Sequence, residues 1–267
     1  MKVAIAGCTG RMGRSLVEAV CRDPQLNLVA AFERSGHPEI GREVRDEAGG
    51  PTGVRISDDH ADALSGADVL IDFTRPDGTL AHLRTCIARG VAAVIGTTGF
   101  SPAQRAEIQF AATRIPIVLA PNMAVGVNAA IKLAEVAARI LGDGFDVEII
   151  EAHHRHKVDA PSGTALKLGE VVARAMGREL PEVAVHGRHG ETGARAAGAI
   201  GFHAIRGGDI VGEHTVLFAG DGERVEVTVR SSSRLTYALG ALRAVRFLRA
   251  KPAGLYDMND VLGLADS

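Results

Sequence analysis

Five short apolar runs occur in the first half of the chain, and segments with helical apolar spacing separate them. The runs lack a polar face to turn toward water, which is typical of strands buried on both sides of a parallel sheet. Helices between successive strands would supply the two covering layers. The pattern therefore predicts a doubly wound α/β domain, with strands over residues 2–7, 26–33, 68–74, 92–98 and 115–122.

The pattern changes after Asn122. We predict a helix over residues 128–141, a strand over 146–154 and a helix over 162–176. Three further strands are separated only by short glycine-containing turns, which favours an antiparallel run over residues 200–206, 212–220 and 223–231. A final helix over residues 235–248 suits packing on either part of the chain. The sequence thus predicts two domains, the first doubly wound and the second α+β.

Bulk properties exclude several classes of function. The 267 residues carry a formal net charge of −2 with dispersed basic residues, so nucleic acid is not an expected partner. The N-terminal apolar run is too short for a secretory signal, and no run approaches membrane-spanning length, so we expect no membrane association and a cytoplasmic location. Cys8, Cys21 and Cys86 lack metal-ligand spacing and are expected to be reduced thiols.

The segment GCTGRMG places Gly7, Gly10 and Gly13 between the first strand and the first helix. Glycines there allow a tight turn, close approach of backbone to a pyrophosphate, and helix–strand packing, although glycine-rich strand-to-helix turns also occur without a ligand. Glu33 ends the second strand, where dinucleotide folds place an acidic ligand of the NAD ribose. The adjacent Arg34 suits the 2′-phosphate of NADP. Together they predict NADH or NADPH as cofactor.

Small polar residues follow the later strands of the predicted sheet, in the segments DFTRP (72–76), GTTG (96–99) and APNMAVGVN (120–128). Ligands of open parallel sheets bind beyond the carboxyl ends of the strands. We therefore expect these segments to form the nicotinamide side of the cofactor site.

The stretch EAHHRHKVDAPSGTA (151–165) concentrates imidazoles and cations before a helix start. Ser162 is a predicted N-cap, and the N–H groups of Gly163 and Thr164 would form an anion site to which His154 and Lys157 add donors. A neighbouring imidazole would supply a proton near neutral pH. A zinc site is the alternative, since His154 and His156 share a face if the stretch stays extended and Glu151 is a candidate third ligand, but no HExxH or cysteine pair accompanies them. A solvated basic patch also remains open.

These segments, with FERSG and GDIVGEHT, resemble the 4-hydroxy-tetrahydrodipicolinate (dihydrodipicolinate) reductase family, and the resemblance runs nearly end to end, including LYDMNDVL near the C-terminus. It implies reduction of a small cyclic dicarboxylate with NADH or NADPH, and loss of water, in the diaminopimelate route to lysine. Carried over by position, His153 and Lys157 are catalytic, and His154, Gly163 and Thr164 bind substrate. The implied cofactor residues are Gly7, Cys8, Thr9, Gly10, Arg11, Met12, Glu33, Arg34, Gly96, Thr97, Thr98, Ala120, Pro121, Asn122 and Met123, and no metal is implied.

The resemblance also implies the domain plan. A Rossmann-like dinucleotide-binding domain would comprise residues 1–124 and 234–267, so that the last helix returns to it. Residues 125–233 would form an α+β substrate and oligomerisation domain, whose open mixed sheet pairs subunits into a homotetramer. One departure from the family is Cys8–Thr9 in the glycine loop, where relatives often have smaller residues.

Two other functions share parts of this pattern. Aspartate-semialdehyde dehydrogenases have a similar two-domain plan but need a nucleophilic cysteine near the substrate, whereas all three cysteines here lie in the first third of the chain. A dinucleotide-sensing regulator would keep the glycine loop but would not need a proton donor beside an anion site.

Overall fold

The structure is a computed structural model that describes residues 1–46 and 48–264. The last three residues of the predicted segment 234–267 lie outside the described residues. The chain forms two compact units, residues 1–125 with the chain from Arg234 (unit 1) and residues 126–233 (unit 2).

Strands and helices alternate through most of the chain. The strands are β1 (Lys2–Ala6), β2 (Asn27–Phe32), β3 (Glu43–Arg45), β4 (Pro51–Ser57), β5 (Val69–Asp72), β6 (Ala92–Ile95), β7 (Pro116–Leu119), β8 (Asp146–His153), β9 (Ala184–His186), β10 (Ile200–Arg206), β11 (Gly212–Ala219), β12 (Arg224–Ser231) and β13 (Gly254–Tyr256). The helices are α1 (Arg11–Arg22), α2 (His60–Ala63), α3 (Pro76–Arg89), α4 (Pro102–Ala112), α5 (Val125–Leu141), α6 (Gly163–Ala175), α7 (Leu180–Val183), α8 (Leu235–Leu248) and α9 (Met258–Leu262), with short 3₁₀ turns at Leu64–Gly66 and Gly142–Gly144.

Unit 1 contains an eight-stranded sheet in the order β13-β7-β6-β5-β1-β2-β4-β3, parallel except for the β3–β4 pair. Its central strands are buried along their whole length, because helices cover both faces. Alternate residues of one strand enter different cores: Ile71 packs with α1 and α8, whereas Leu70 packs with α3 and α4. The predicted doubly wound α/β fold is confirmed.

Local signals explain where the unit 1 helices begin and end. Pro76 opens α3, and Gly90 ends it in the left-handed region (φ 67°). Ser101 and Gln104 form a reciprocal capping box at the start of α4. Every predicted strand of this sheet is found, but each ends before its predicted limit because its last residues turn into the loops at the carboxyl edge. Sequence periodicity did not predict β3, β4 or β13, which are short or partly exposed.

Unit 2 contains a five-stranded mixed sheet in the order β12-β11-β8-β10-β9. Helices α5 and α6 pack on one face around Val147, Ile149, Val216 and Phe218. Residues on the other face of β11 and β12 alternate with the core positions and remain partly or fully exposed. The predicted open mixed sheet is therefore confirmed, and among the described residues of unit 2 the helices α5 and α6 pack on one face of it.

The prediction of one antiparallel run through β10, β11 and β12 is wrong for β10. Strands β11 and β12 form an antiparallel hairpin, but β10 pairs in parallel with β8 and lies two strands away from β11. Helix α6 lies between β8 and β10 in the chain and supplies the crossover that a parallel pair needs. Residues 207–211 then pass the end of β8, where the Gly207 N–H donates to the His153 carbonyl (3.0 Å).

Candidate active site

The glycine loop leaves no room for side chains at its contact with α1. A Cβ on Gly13 would lie 2.1 Å from the Gly7 carbonyl oxygen, so only glycine allows α1 to approach β1 this closely. Gly7 adopts φ +65°, and its N–H donates to the Phe32 carbonyl (2.9 Å). Gly10 is the N-cap of α1, and no described side chain caps the helix there. The first N–H groups of α1 therefore fit a phosphate, and Arg11 and Met12 form its first turn.

Glu33 is tied to the glycine loop. Its Oε1 accepts from the Thr9 N–H (3.0 Å) and from the Thr9 hydroxyl (2.7 Å), which links the end of β2 to the loop after β1. Arg34 follows directly. A cavity of about 680 Å³ opens beside Thr9 and is bordered by Arg14, Glu39 and Arg42. This edge of unit 1 thus places the Glu33 carboxylate next to the N–H groups at the start of α1.

Asp72 organises the carboxyl edge beside the glycine loop, a role that the DFTRP segment alone does not indicate. The fully buried carboxylate accepts from the Thr74 N–H (2.9 Å) and hydroxyl (2.6 Å), and it contacts His82 Nδ1 at 2.8 Å. Thr97, at the end of β6, lies 3.4 Å from the same carboxylate and accepts from the Thr79 hydroxyl. Asp72 therefore connects the loops that follow β5 and β6.

The other predicted cofactor residues fall on the same sheet edge. Gly96 has no space for a Cβ, which would meet the Phe73 ring at 2.0 Å. Ala120 and Met123 are buried in the core, and the Met123 carbonyl lies against α8 at Gly240. The loops after β6 and β7 carry Gly96, Thr97, Thr98, Ala120, Pro121, Asn122 and Met123.

None of the three cysteines fits a nucleophile's environment. Cys8 and Cys86 are buried, and burial raises the pKa of each thiol to about 12, with Glu33 and Asp72 respectively adding to the effect. Cys21 is exposed on α1, and partial burial also raises its pKa. A thiolate nucleophile requires a lowered pKa. These residues therefore do not support the aspartate-semialdehyde dehydrogenase alternative.

In unit 2, His153 ends β8 with its ring on the core face of the sheet. Its Nδ1 lies 2.7 Å from Glu151 Oε2, two residues earlier on the same face. The carboxylate can only accept, so the Nδ1–H donates and the exchangeable position is Nε2. A Cβ on Gly212 would lie 3.2 Å from Nε2, so glycine keeps the approach to this atom open.

Arg206 pairs with Glu151 from the neighbouring strand β10. Its two terminal nitrogens each lie 2.7 Å from a carboxylate oxygen, a bidentate geometry, and one also donates to the Asp159 carbonyl (2.6 Å). Burial by itself raises the pKa of Glu151, but the hydrogen bonds from Arg206 and His153 outweigh it and hold that pKa below its ordinary value. The buried carboxylate therefore stays charged.

His214 on β11 adds a second buried imidazole. Its ring stands edge-on to His153 with centroids 5.1 Å apart, and its Nε2 lies 3.1 Å from Ser162 Oγ. Burial, and secondarily the neighbouring His153, lowers the pKa of His214 to about 4. This imidazole is therefore neutral at neutral pH.

The start of α6 faces this cluster. Ser162 caps the helix by accepting from the Ala165 N–H (3.2 Å), and its own N–H donates to Glu151 Oε1 (3.1 Å). Gly163 is exposed and Thr164 partly buried, so the first N–H groups of α6 fit an anion. Lys157 lies in the preceding loop and contacts both oxygens of Asp159 (2.8 and 2.9 Å).

The chain leaves the extended conformation after His153, so the strand alternation that would align His154 with His156 does not apply. The Lys157 N–H donates to the His154 carbonyl in a turn (3.1 Å), and the two imidazole centroids lie 6.3 Å apart. Within residues 1–46 and 48–264, no group of three or more His, Cys, Asp or Glu side chains is arranged to hold a metal ion.

Sequence reasoning missed three contributors to this cluster. Glu151 was considered only as a metal ligand, although strand alternation puts it on the face of His153. Arg206 and His214 lie opposite His153 and Glu151, respectively, in the strand register. The available signal was the GDIVGEHT segment, which contains His214 and follows Arg206 closely.

Family-level comparison matches both parts of the chain. Residues 1–123 match "Dihydrodipicolinate reductase, N-terminus", and residues 126–262 match "Dihydrodipicolinate reductase, C-terminus". The chain belongs to the dihydrodipicolinate reductase family. The predicted family is thereby confirmed, together with the prediction that the chain is an oxidoreductase, and family and fold together imply a nicotinamide dinucleotide cofactor.

Individual relatives agree with this assignment. Proteins named 4-hydroxy-tetrahydrodipicolinate reductase from Nitrosospira multiformis and Burkholderia ambifaria are 59% and 60% identical over 264 residues. Each alignment covers 99% of this chain, and 98% and 100% of the respective relative.

Solved structures also resemble the chain. A dipicolinate-bound dihydrodipicolinate reductase from Paenisporosarcina sp. TG-14 has a TM-score of 0.77 at 26% identity and covers 97% of this chain and 98% of its own. An aspartate-semialdehyde dehydrogenase from Vibrio cholerae has a TM-score of 0.52 at 11% identity. The match covers 92% of this chain and 97% of that protein, and it shows a likeness of fold alone.

Among the described residues, no helix is long and apolar enough to cross a bilayer.

Proposed function

We propose that this reductase converts 4-hydroxy-tetrahydrodipicolinate to tetrahydrodipicolinate and water, with NADH or NADPH as reductant, in the diaminopimelate route to lysine. The observation that carries the proposal is the contact between His153 and Glu151 beside the start of α6, in a member of this family. The contact orients a proton-exchanging imidazole toward an anion-binding helix terminus.

The dinucleotide would be held by unit 1. The N–H groups at the start of α1 suit the pyrophosphate, Glu33 and Arg34 suit the adenosine ribose, and the loops after β6 and β7 suit the nicotinamide side. When bound, the reduced nicotinamide supplies hydride. Glu33 accepts a free 2′-hydroxyl and Arg34 attracts a 2′-phosphate, so the pair supports use of both cofactors.

The dicarboxylate would be held by unit 2. The N–H groups of Gly163 and Thr164 bind one carboxylate, and His154 and Lys157 add donors and positive charge. The substrate loses its hydroxyl as water and gains one hydride and one proton overall. His153 provides the proton from Nε2 while Glu151 holds Nδ1. Lys157 stabilises negative charge on the bound substrate.

The test is consumption of the reduced cofactor, followed by its absorbance, when protein and substrate are mixed. In His153→Gln we expect turnover to fall about 100-fold while affinity for the dinucleotide stays within about twofold, because the imidazole acts in the transition state. A dinucleotide sensor would bind the cofactor without consuming it. Near-normal turnover in His153→Gln would refute the assigned role.

We also propose a cytoplasmic homotetramer in which unit 1 is the dinucleotide domain and unit 2 the substrate and oligomerisation domain. The open face of the mixed sheet supports the assembly, since β11 and β12 leave alternate side chains uncovered by the described helices. Light scattering of the purified chain tests it: a monomer at micromolar concentration would refute the tetramer.

A further inference from the structure

Four hydrogen bonds from three residues hold the Glu151 carboxylate. It accepts from Arg206 through both oxygens, from the Ser162 N–H and from the His153 Nδ1–H. We propose that Arg206 and Glu151 are positioning residues that fix the ring of His153 and set the pH at which its Nε2 gives up a proton. This inference rests on the proposed function for the identity of the substrate. The contacts among Glu151, Arg206 and His153 are independent of that function.

The first step is orientation. A carboxylate held by a bidentate guanidinium and a backbone N–H cannot rotate, so the ring that donates to it takes one plane and one tautomer. The two donors that fix the Glu151 carboxylate come from different elements: Arg206 lies on β10 and Ser162 at the start of α6. The contact therefore links the proton donor to the proposed anion site through a single carboxylate.

The second step is charge. Among the described residues, Glu151 on its own strand and His214 on β11 contact His153, Arg206 on β10 binds the Glu151 carboxylate, and the Lys157–Asp159 pair lies in the following loop. Alone, a buried anion next to the ring would hold the imidazolium proton too tightly for efficient donation. Arg206 offsets that pull, and its hydrogen bonds help to keep the carboxylate ionised.

This arrangement predicts opposite effects from removing its two charges. Glu151→Gln removes the anion, so the proton should leave at lower pH and the midpoint of the kcat–pH profile should fall by about one unit. Arg206→Gln leaves the anion uncompensated, so the midpoint should rise by a similar amount. A scaffold role alone would lower kcat without moving the two midpoints in opposite directions.

Glu148, also on β8, and its partner Arg188 provide matched controls. Glu148 is held by Arg188, Arg195 and His203, and although burial opposes it, the hydrogen bonds from these partners lower its pKa to about 2. Its side chain points away from the core face that carries Glu151. Glu148→Gln and Arg188→Gln should alter stability while leaving the kcat–pH midpoint unchanged.

A second readout does not need turnover. The rate at which diethyl pyrocarbonate modifies His153, followed by peptide mass spectrometry across pH, reports the free base of that imidazole in the full chain without cofactor or substrate. The exposed His189 serves as the internal standard. The midpoint for His153 should fall in Glu151→Gln and rise in Arg206→Gln, and it should stay unchanged in both controls.

The variants Glu151→Gln, Arg206→Gln and Arg206→Lys test the inference together. We expect kcat near neutral pH to fall about 100-fold in Glu151→Gln. Arg206→Lys should return the midpoint to the wild-type value, because it keeps the positive charge and loses only the bidentate geometry.

If Glu151→Gln fails to fold, the inference is tested by the rise of the midpoint in Arg206→Gln and its return to the wild-type value in Arg206→Lys. Unmoved midpoints, or shifts in one direction, overturn it. Opposite shifts in modification without any reductase activity would leave the positioning intact and reject the proposed function.

Discussion

His214 and His153 stand edge to face, with ring centroids 5.1 Å apart and planes inclined by 74°. They lie on adjacent antiparallel strands, and burial lowers the pKa of His214 to about 4. His214 therefore packs against His153 in the neutral form, beside the imidazole that we propose as the proton donor.

His214 should make the protein sensitive to acid. Its pKa is about 4 when folded against an ordinary value of 6.5, so the unfolded chain binds more protons between these values and stability falls as pH drops through that window. The full effect is about 3 kcal/mol. Urea unfolding at about pH 7.5 and about pH 5 should show a smaller loss in His214→Gln than in wild type. The control, His189→Gln, changes an exposed imidazole and should keep the wild-type difference, whereas an equal loss in His214→Gln would contradict the prediction.

Gly13→Ala should weaken dinucleotide binding. The added Cβ would lie 2.1 Å from the Gly7 carbonyl oxygen, so α1 must move away from β1 and its N–H groups leave the phosphate position. We expect affinity for the reduced dinucleotide, measured by calorimetry, to fall at least about tenfold. Gly66→Ala is the control, since no described heavy atom lies within 4 Å of a Cβ there. Unchanged affinity in Gly13→Ala would remove the glycine loop from the proposed site.

Glu33 and Arg34 should set cofactor preference in opposite directions. Glu33→Gln keeps an oxygen to accept from Thr9 but removes the charge that repels a 2′-phosphate. The ratio of kcat/KM for NADPH to that for NADH should rise about tenfold in Glu33→Gln and fall in Arg34→Gln. Glu107→Gln, which changes an exposed carboxylate paired with Arg84, is the control. Ratios that stay constant in both variants would show that neither residue reaches the adenosine ribose.

Lys157 shares its charge with Asp159, and substrate should compete with that pair. Asp159→Asn removes the rival carboxylate, so KM for the dicarboxylate should fall about threefold, whereas Lys157→Met should raise KM and lower kcat. The Lys157 hydrogen bond lowers the pKa of Asp159, so that carboxylate is ionised at neutral pH. Glu170→Gln, at the exposed pair with Lys167, should change neither constant. A higher KM in Asp159→Asn would mean instead that Asp159 orients Lys157 for binding.

Much of the fold could be predicted because its signals are local. Uninterrupted apolar runs indicated the parallel sheet, and the glycine spacing indicated the turn into α1, where the Gly13 contact leaves no alternative residue. Strand β10 was assigned the wrong neighbour because turn length suggested a hairpin, while its actual pairing with β8 depends on the crossover through α6. Short strands such as β3 and β13 lack a periodic signal, so their pairing comes from the rest of the sheet.

The amino-acid sequence by itself determined the family, the doubly wound unit and the stretch that contains His153, since each depends on residues close together in the chain. Only the tertiary structure decided what surrounds that imidazole. Arg206 and His214 lie 55 and 63 positions from Glu151, and the register of β10 and β11 against β8 brings them to it. The alternating apolar residues set which face of each strand packs on α5 and α6, but the neighbour of β10 depends on the crossover through α6.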